Sequence, residues 1–163
     1  MDFITYKNKM KDKYKVYFDI EKNSDIFNTF DMVAKSNIKN EKFFLTKKSV
    51  IYSYENNEVC LIKYTKEIDE VCLDEFICSI KENMDKATVQ DENHMSTVFT
   101  GILVTDKNDN IQLHNKIKKF KYYQSYCLGL RGWSEIRLIL ITLRDGKVIC
   151  SKKAKKIKSF YEP

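Results

Sequence analysis

The chain has 163 residues, of which 43% are hydrophobic and 13% aromatic, a content that supports a packed core and excludes an intrinsically disordered chain. Its formal net charge is +6, from 29 Lys and Arg against 23 Asp and Glu. Charges interrupt every apolar run before the ~18 residues that a membrane-spanning helix needs, and the N-terminal segment mixes charges with apolar side chains. We therefore expect neither a membrane span nor a secretory signal.

The first part of the chain predicts one helix followed by short strands. Apolar side chains recur every three or four residues over 2–18, which indicates an amphipathic helix. From Phe30 onward the apolar period is two. Four β-rich runs follow, at 30–34, 42–46, 50–54 and 59–64. With turns at 37–40, 47–48 and 55–58, these runs predict an antiparallel meander.

The second part predicts alternating helices and strands. Residues 68–85 place an apolar side chain at every fourth position and acids at the start, which is typical of a helix. The polar residues 88–95 are predicted to form an irregular loop. The remaining predicted elements are a central strand at 98–105, a basic helix at 111–120, an extended segment at 122–128, a turn at 129–132 and strands at 136–143 and 148–150.

These elements predict a single α+β domain over residues 1–163, without an internal repeat or linker. We expect a mostly antiparallel or mixed sheet of about six to seven strands with two or three packed helices. Residues 152–163 are predicted to form a basic C-terminal tail.

The cysteine pattern indicates a reducing compartment and no metal site. The five cysteines include no C-x-x-C pair. An odd number without a signal peptide is typical of reduced thiols, so we expect a cytoplasmic protein. No glycine-rich phosphate-binding loop is present either. The sequence therefore predicts no metal and no cofactor.

Charge is distributed unevenly along the chain. Residues 1–64 carry +3, residues 65–110 carry −7 and residues 111–163 carry +10. Such asymmetry indicates either a site for an anionic partner or charge balance between segments that pack together.

A basic and aromatic segment, 116–137, is the best candidate binding site in the sequence. Lysines neutralise phosphates and aromatic faces stack on bases, so this pattern is compatible with nucleic-acid binding. The alternative is that the aromatic side chains are core anchors and the lysines are solvated. We expect Trp133 in particular to be a core residue. The candidate binding residues are Lys116, Lys118, Lys119, Lys121, Tyr122, Tyr123, Arg131 and Arg137.

His94 is the candidate for catalysis because Asp91 and Glu92 are close to it in sequence. A carboxylate beside a histidine fixes its tautomer and raises its pKa, as a general base requires. The alternative is an incidental histidine in a solvated loop.

Five short stretches resemble a family of small uncharacterised clostridial-type (Firmicute) bacterial proteins. They are residues 40–48 (NEKFFLTKK), 92–95 (ENHM), 119–122 (KFKY), 132–133 (GW) and 137–139 (RLI). The resemblance covers about four fifths of the chain and implies no activity, substrate or catalytic residue.

A second resemblance concerns the predicted order of elements. Helix, three or four strands, helix and strand is similar to the core of restriction-endonuclease-like nucleases. Such a core needs an acid two residues before a lysine to hold a divalent metal. The matching triplet here is Leu61–Ile62–Lys63, and leucine stands in place of the acid.

Together these features predict a non-catalytic cytoplasmic binding or regulatory module that contacts a protein partner. One alternative is a nucleic-acid-binding protein that uses segment 116–137. Another is a small hydrolase that uses His94 with nearby carboxylates.

Overall fold

The computed structural model describes residues 1–21, 24–43, 50–90 and 92–163. The helices are α1 (Phe3–Tyr14), α2 (Glu70–Ala87), α3 (Ile111–Lys119) and two 3₁₀ segments, Cys127–Gly129 and Lys152–Tyr161. The strands are β1 (Asp19–Glu21), β2 (Met32–Phe43), β3 (Val50–Tyr64), β4 (His94–Thr105), β5 (Tyr122–Ser125), β6 (Trp133–Thr142) and β7 (Val148–Cys150). We call Lys152–Tyr161 the C-terminal 3₁₀ helix. Among these helices none is long and apolar enough to cross a membrane.

The strands form one mixed sheet in the order β1-β2-β3-β4-β6-β5, with β7 also paired to β6. Strands β3, β4 and β6 are parallel, whereas β2, β5 and β7 run antiparallel to their neighbours. Helix α2 supplies the crossover that two parallel strands require. The predicted α+β class with a mixed sheet is confirmed.

The predicted four-strand meander is wrong, because two long strands, β2 and β3, replace it. The turns predicted at 37–40 and 55–58 lie inside these strands, whereas residues 47–48 lie outside the described residues. Asn37 Nδ2 donates to Asn57 Oδ1 at 2.7 Å and to Glu55 Oε2 at 3.1 Å across the pair. These cross-strand contacts satisfy polar side chains that would otherwise favour a turn.

Helices α2 and α3 cover the first face of the sheet. Phe76, Ile80 and Met84 are at most 2% exposed and pack on apolar side chains of the central strands. Helix α2 approaches β4 closely at Gly101. A Cβ atom there would lie 2.7 Å from Ile80 Cδ1 and 2.9 Å from Phe76 Cε1. The glycine therefore sets the distance between helix and sheet.

Helix α1 and the C-terminal 3₁₀ helix cover one half of the second face. The latter occupies most of the segment predicted as a basic tail, and its sequence explains its geometry. Ala154, Ile157 and Phe160 recur every third residue, which matches the three residues per turn of a 3₁₀ helix. This apolar row packs against the sheet, and Ala154 is fully buried.

A small polar network lies inside this second core. Tyr14 Oη donates to Tyr161 Oη at 3.0 Å, and Tyr6 Oη donates to the Tyr161 carbonyl at 3.0 Å. Cys60 Sγ lies 3.5 Å from Tyr161 Oη. Burial raises the pKa of the Cys60 thiol to about 12 and raises the pKa values of Tyr14 and Tyr161 well above their ordinary value. The network is therefore neutral at physiological pH.

Candidate interaction site

A compact loop between β5 and β6, residues Tyr126–Gly132, is the candidate interaction site, and we call it the leucine loop. Backbone hydrogen bonds close it. Tyr126 N donates to the Gly132 carbonyl at 2.9 Å, and Gly129 N donates to the Tyr126 carbonyl at 2.9 Å. Leu130 N donates to the Cys127 carbonyl at 3.0 Å. These bonds hold the tip in one conformation.

The tip presents two leucines to solvent from an uncommon backbone conformation. Leu128 is 101% exposed and Leu130 is 84% exposed. Cys127 and Leu128 have φ angles of 47° and 55°, in the left-handed region that non-glycine residues rarely adopt. Such strain persists only where the surroundings enforce it, and it occurs preferentially at functional sites. An apolar, uncharged and conformationally fixed tip is suited to entering a pocket of another protein.

The buried side chain of His94 contacts the backbone of the leucine loop. Its side chain is 5% exposed, with Nδ1 2.7 Å from the Arg131 carbonyl oxygen and Nε2 2.9 Å from Thr97 Oγ1. The carbonyl can only accept, so Nδ1 carries a proton, and in the neutral imidazole Nε2 accepts from the threonine hydroxyl. The Tyr126 ring packs edge-on against the imidazole, with centroids 6.0 Å apart.

His94 is placed neither as a catalytic base beside carboxylates nor as an incidental histidine in a solvated loop. The predicted loop 88–95 ends at Asn93, and His94 begins β4 as a buried residue. Glu92 is exposed, and Asp91 lies outside the described residues. Because both ring nitrogens already contact protein oxygens, neither is available to activate a substrate.

Gly132 allows the leucine loop to lie directly on the start of β4. Its φ is +76°, and a Cβ atom would lie 2.5 Å from the Met95 carbonyl oxygen and 2.8 Å from His94 Nδ1. Any side chain here would therefore push the loop away from its histidine support.

An aromatic pair adjoins the leucine loop. The rings of Tyr123 and Trp133 stack with centroids 5.7 Å apart and an interplanar angle of 28°. Tyr123 is 62% exposed, and Trp133 is partly buried rather than a fully enclosed core residue. Trp133 directly follows Gly132, so the pair and the leucines form neighbouring parts of one exposed region. Tyr and Trp are the side chains most enriched at energetic centres of protein interfaces.

Next to the pair, the second face carries a charge-balanced polar strip. The nearly buried Glu135 carboxylate accepts from Arg137 Nε at 3.0 Å and lies 3.0 Å from Lys153 Nζ. Glu58 accepts from Thr100 Oγ1 at 3.1 Å and lies 4.0 Å from an Arg137 guanidinium nitrogen. Two acids face two bases, so this strip does not specifically attract a polyanion.

The lysines predicted as binding residues lie away from the leucine loop. Lys116 ion-pairs with Asp74 at 2.8 Å and with Glu70 at 3.5 Å, so the acidic middle of the chain partly balances the basic end. Lys118 and Lys119 are exposed on α3, and Lys121 is exposed just before β5.

The other predicted residues are divided between the two faces. Tyr122 packs against the first core beneath Lys81, whose Nζ lies 4.5 Å from the ring centroid. Tyr123 and Arg131 belong to the region of the leucine loop, and Arg131 donates to the Gln90 carbonyl at 3.4 Å. Arg137 lies on the polar strip. The structure thus distributes the eight predicted residues over α3, the leucine loop and both faces of the sheet, and does not bring them together.

In the region compared with nuclease cores, a leucine stands where a metal-binding acid is required. Leu61, at the position of the acid, is fully buried beneath α2 in the first core. Across residues 1–21, 24–43, 50–90 and 92–163, no three His, Cys, Asp or Glu side chains are grouped to hold a metal ion.

Sequence reasoning missed Leu128 and Leu130. The available signal was two leucines on either side of Gly129, where the predicted extended segment 122–128 meets the predicted turn 129–132 and apolar side chains have no core to enter.

A family model described as a domain of unknown function (DUF8052) matches residues 2–163. No curated protein and no solved structure matches the chain. The matched range runs from α1 through the C-terminal 3₁₀ helix, so the leucine loop, its histidine support and the aromatic pair all belong to this domain.

Proposed function

The chain belongs to the family of the domain of unknown function DUF8052, and we propose that it is a non-catalytic binding module that contacts a protein partner through the leucine loop. The observation that carries this proposal is the high exposure of Leu128 and Leu130 on a loop that is strained at Cys127 and Leu128 but closed by hydrogen bonds. Isolated exposed leucines are ordinary, whereas two on one fixed tip, close in the chain to the partly exposed Tyr123–Trp133 pair, form an apolar contact region.

The chemistry of the region favours a protein partner over nucleic acid. Residues 127–130 carry no charge, and the adjacent polar strip is balanced, so phosphates would find no excess of cations there. The partner we propose has an apolar pocket for the leucines and a polar rim that meets Arg131 and Arg137. Leucines enter the pocket with little backbone ordering cost, because the loop is already closed by its own hydrogen bonds.

The alternative functions have less support from the geometry. Segment 116–137 is divided between the two faces, so its lysines and aromatic rings do not form one nucleic-acid surface. The engaged ring nitrogens of His94 do not favour a hydrolase, and Leu61 supplies no catalytic acid for a nuclease-like centre.

Location and origin complete the proposal. All five cysteines are unpaired in the structure, which is compatible with the reducing cytoplasm that we propose for this protein. The clostridial-type origin indicated by the sequence resemblance stays a prediction.

Site-specific photo-crosslinking in host cells tests the proposal. A photoreactive residue at position 128 should capture one defined protein, whereas the same residue at Ile4 should not. Ile4 is a matched control because it is also an exposed apolar side chain, at 72%, and lies on α1.

The captured protein is then purified, and its affinity is measured directly. Leu128→Asp with Leu130→Asp should weaken binding at least about tenfold, because a buried apolar anchor contributes ~1.4 kcal/mol or more. Ile4→Asp should leave affinity unchanged, and all variants should unfold at the wild-type urea concentration. Equal capture at both positions, or equal affinity of the loop variant, contradicts the proposal. Self-association that only the loop variant loses would assign the site to a second copy.

A further inference from the structure

A lysine-lined groove lies at the opposite end of β6 from the leucine loop. Its volume is about 1160 Å³, and its floor is β7. One wall is a face of α3 that presents Ile111, His114 and Lys118, and the other wall is the C-terminal 3₁₀ helix. We call it the lysine groove, and none of the contacts assigned to the leucine loop involves it.

The 3₁₀ geometry aligns three lysines along one wall. Lys152, Lys155 and Lys158 recur every third residue and all line the groove. With three residues per turn and a rise of ~2.0 Å per residue, these positions form a straight row with ~6 Å between neighbours. An α-helix would rotate the third lysine away from the first. The less common helix therefore produces a linear row of cations.

The groove carries an excess of positive charge. Five lysines line it against two carboxylates, those of Asp109 and Glu162. Asp109 already pairs with Lys107 at 2.6 Å and with Lys147 at 3.6 Å. Burial raises the pKa of the Cys150 thiol on the floor, so this thiol adds no negative charge at neutral pH.

Four of these lysines are available to a ligand. Within the described part of the chain, no acid lies within ion-pair distance of their side chains, in contrast to Lys147 and its Asp145 partner at 2.7 Å. They are Lys118, Lys152, Lys155 and Lys158.

An unsatisfied histidine nitrogen also indicates a ligand in the groove, independently of the positive charge. His114 Nε2 is buried and has no hydrogen-bond partner among the described residues, although His114 lines the groove. Buried polar atoms in folded proteins are nearly always paired, so each exception needs an explanation. Rotation of the partly buried imidazole toward the groove would bring this nitrogen to a ligand oxygen.

We propose that the lysine groove binds a linear polyphosphate anion, which lies along Lys152, Lys155 and Lys158 and contacts the imidazole of His114. Ammonium groups at regular spacing neutralise successive phosphates through charge-assisted hydrogen bonds. The described lining contains no Phe, Tyr or Trp on which a base could stack, which favours a phosphate chain over single-stranded nucleic acid. Inorganic polyphosphate and the triphosphate of a nucleotide share this chemistry.

Calorimetric titration of the full chain with sodium tripolyphosphate is the primary test. Lys118→Gln with Lys155→Gln, one change on each wall, should weaken binding at least about tenfold. Lys119→Gln with Lys156→Gln is the matched control, since it changes the neighbouring residue on each element, removes the same charge and does not alter the lining. The control should change affinity less than about twofold. Equal losses in both pairs would show that only net charge matters and would overturn the proposal.

The two histidines give an internal comparison that does not depend on substitutions. On titration with tripolyphosphate, the imidazole nitrogen NMR signals of His114 should shift, whereas those of the enclosed His94 should not. Unchanged His114 signals at saturation contradict the proposed contact.

Further titrations distinguish inorganic polyphosphate from a nucleotide triphosphate as the ligand. Equal affinity for ATP and tripolyphosphate assigns recognition to the phosphate chain, and markedly tighter ATP binding assigns the groove to a nucleotide triphosphate. Tighter binding of single-stranded DNA than of tripolyphosphate, with the same loss in Lys118→Gln with Lys155→Gln, would overturn the proposal in favour of nucleic acid.

Discussion

Beneath α2 and α3, every buried side chain of the first core is aliphatic, phenyl or thioether, and none of them titrates. Beneath α1 and the C-terminal 3₁₀ helix, the second core also encloses tyrosine hydroxyls and the Cys60 thiol. The hydrophobic cluster on one face is therefore held together by shape, and the cluster on the other face by shape together with hydrogen bonds.

Because of this difference, the stability contributed by each face should depend on a different kind of change. Hydrocarbon packing depends on volume, so the first face should respond to cavities and to added atoms. A buried polar network depends on every hydrogen bond being made, so the second face should respond to the loss of single atoms and to pH. The following changes test that separation.

Phe76→Ala should produce the largest effect. Phe76 is 2% exposed at the centre of the first core. Its truncation should lower the free energy of unfolding by ~3–5 kcal/mol, because a cavity remains. Urea unfolding measures the change, and Val71→Ala on the exposed side of the same helix is the control. A loss below about 1 kcal/mol would mean that α2 does not close this face.

Gly101→Ala tests the same face by adding a methyl group instead of removing a side chain. The new Cβ would meet Ile80 Cδ1 at 2.7 Å, so α2 must move or Ile80 must change its rotamer. We expect a loss of ~1–3 kcal/mol in urea unfolding. Ile80→Val removes the Cδ1 atom and should restore part of the loss in the double variant. Strictly additive losses would contradict a volume conflict between these two residues.

Tyr161→Phe removes one oxygen atom from the second face with little change in volume. Tyr14 Oη and Cys60 Sγ both lose a neighbour, and the buried Tyr14 hydroxyl is left without its acceptor. The expected loss is ~1–2 kcal/mol in chemical unfolding. Tyr17→Phe, at a 76% exposed position, should have no effect. If the two tyrosine variants are equally stable, hydrogen bonds do not contribute to closing this face.

The smallest expected effect is a dependence of stability on alkaline pH. The Cys60 pKa is raised from its ordinary 9.0 to about 12 in the folded protein, and the pKa values of Tyr14 and Tyr161 are raised as well. The unfolded chain releases these protons first, so the stabilisation is complete below pH 9 and decreases as pH rises. The contribution of Cys60 should fall by under about 1 kcal/mol at pH 9.5.

Unfolding free energies between pH 7 and 10 measure this dependence. Tyr161→Phe should have a shallower alkaline decline than the wild type, whereas Phe76→Ala should have a parallel one. Identical slopes for the wild type and Tyr161→Phe would show that the buried network does not govern the alkaline response.

Local periodicity was sufficient to predict the α-helices but not the two 3₁₀ helices. The four-residue apolar spacing of 68–85 corresponds to α2, and the basic helix at 111–120 corresponds to α3. Both helices begin at a side chain that accepts from the backbone, Asp69 and Asn110 respectively, which single-sequence patterns reveal well.

Tertiary contacts explain what the sequence did not predict. The polar residues of β2 and β3 have turn propensity, but pairing across the two strands overrides it. His94 is polar and follows a polar stretch, so its burial depends on the Arg131 carbonyl, a partner far away in sequence. Likewise, the exposure of Leu128 and Leu130 follows from loop closure by backbone hydrogen bonds, which residue types alone do not encode.

The contact between α1 and the C-terminal 3₁₀ helix also has a consequence for how the chain folds during synthesis. The hydrogen bond from Tyr6 Oη to the Tyr161 carbonyl joins residues 155 positions apart, whereas α2 follows directly after β3 and precedes β4. Loop-closure entropy delays distant pairings, so we expect the α2 side to form first on the ribosome. Until residue 161 emerges, the part of the second core that the C-terminal 3₁₀ helix covers stays exposed, and a nascent chain paused there is a substrate for chaperones.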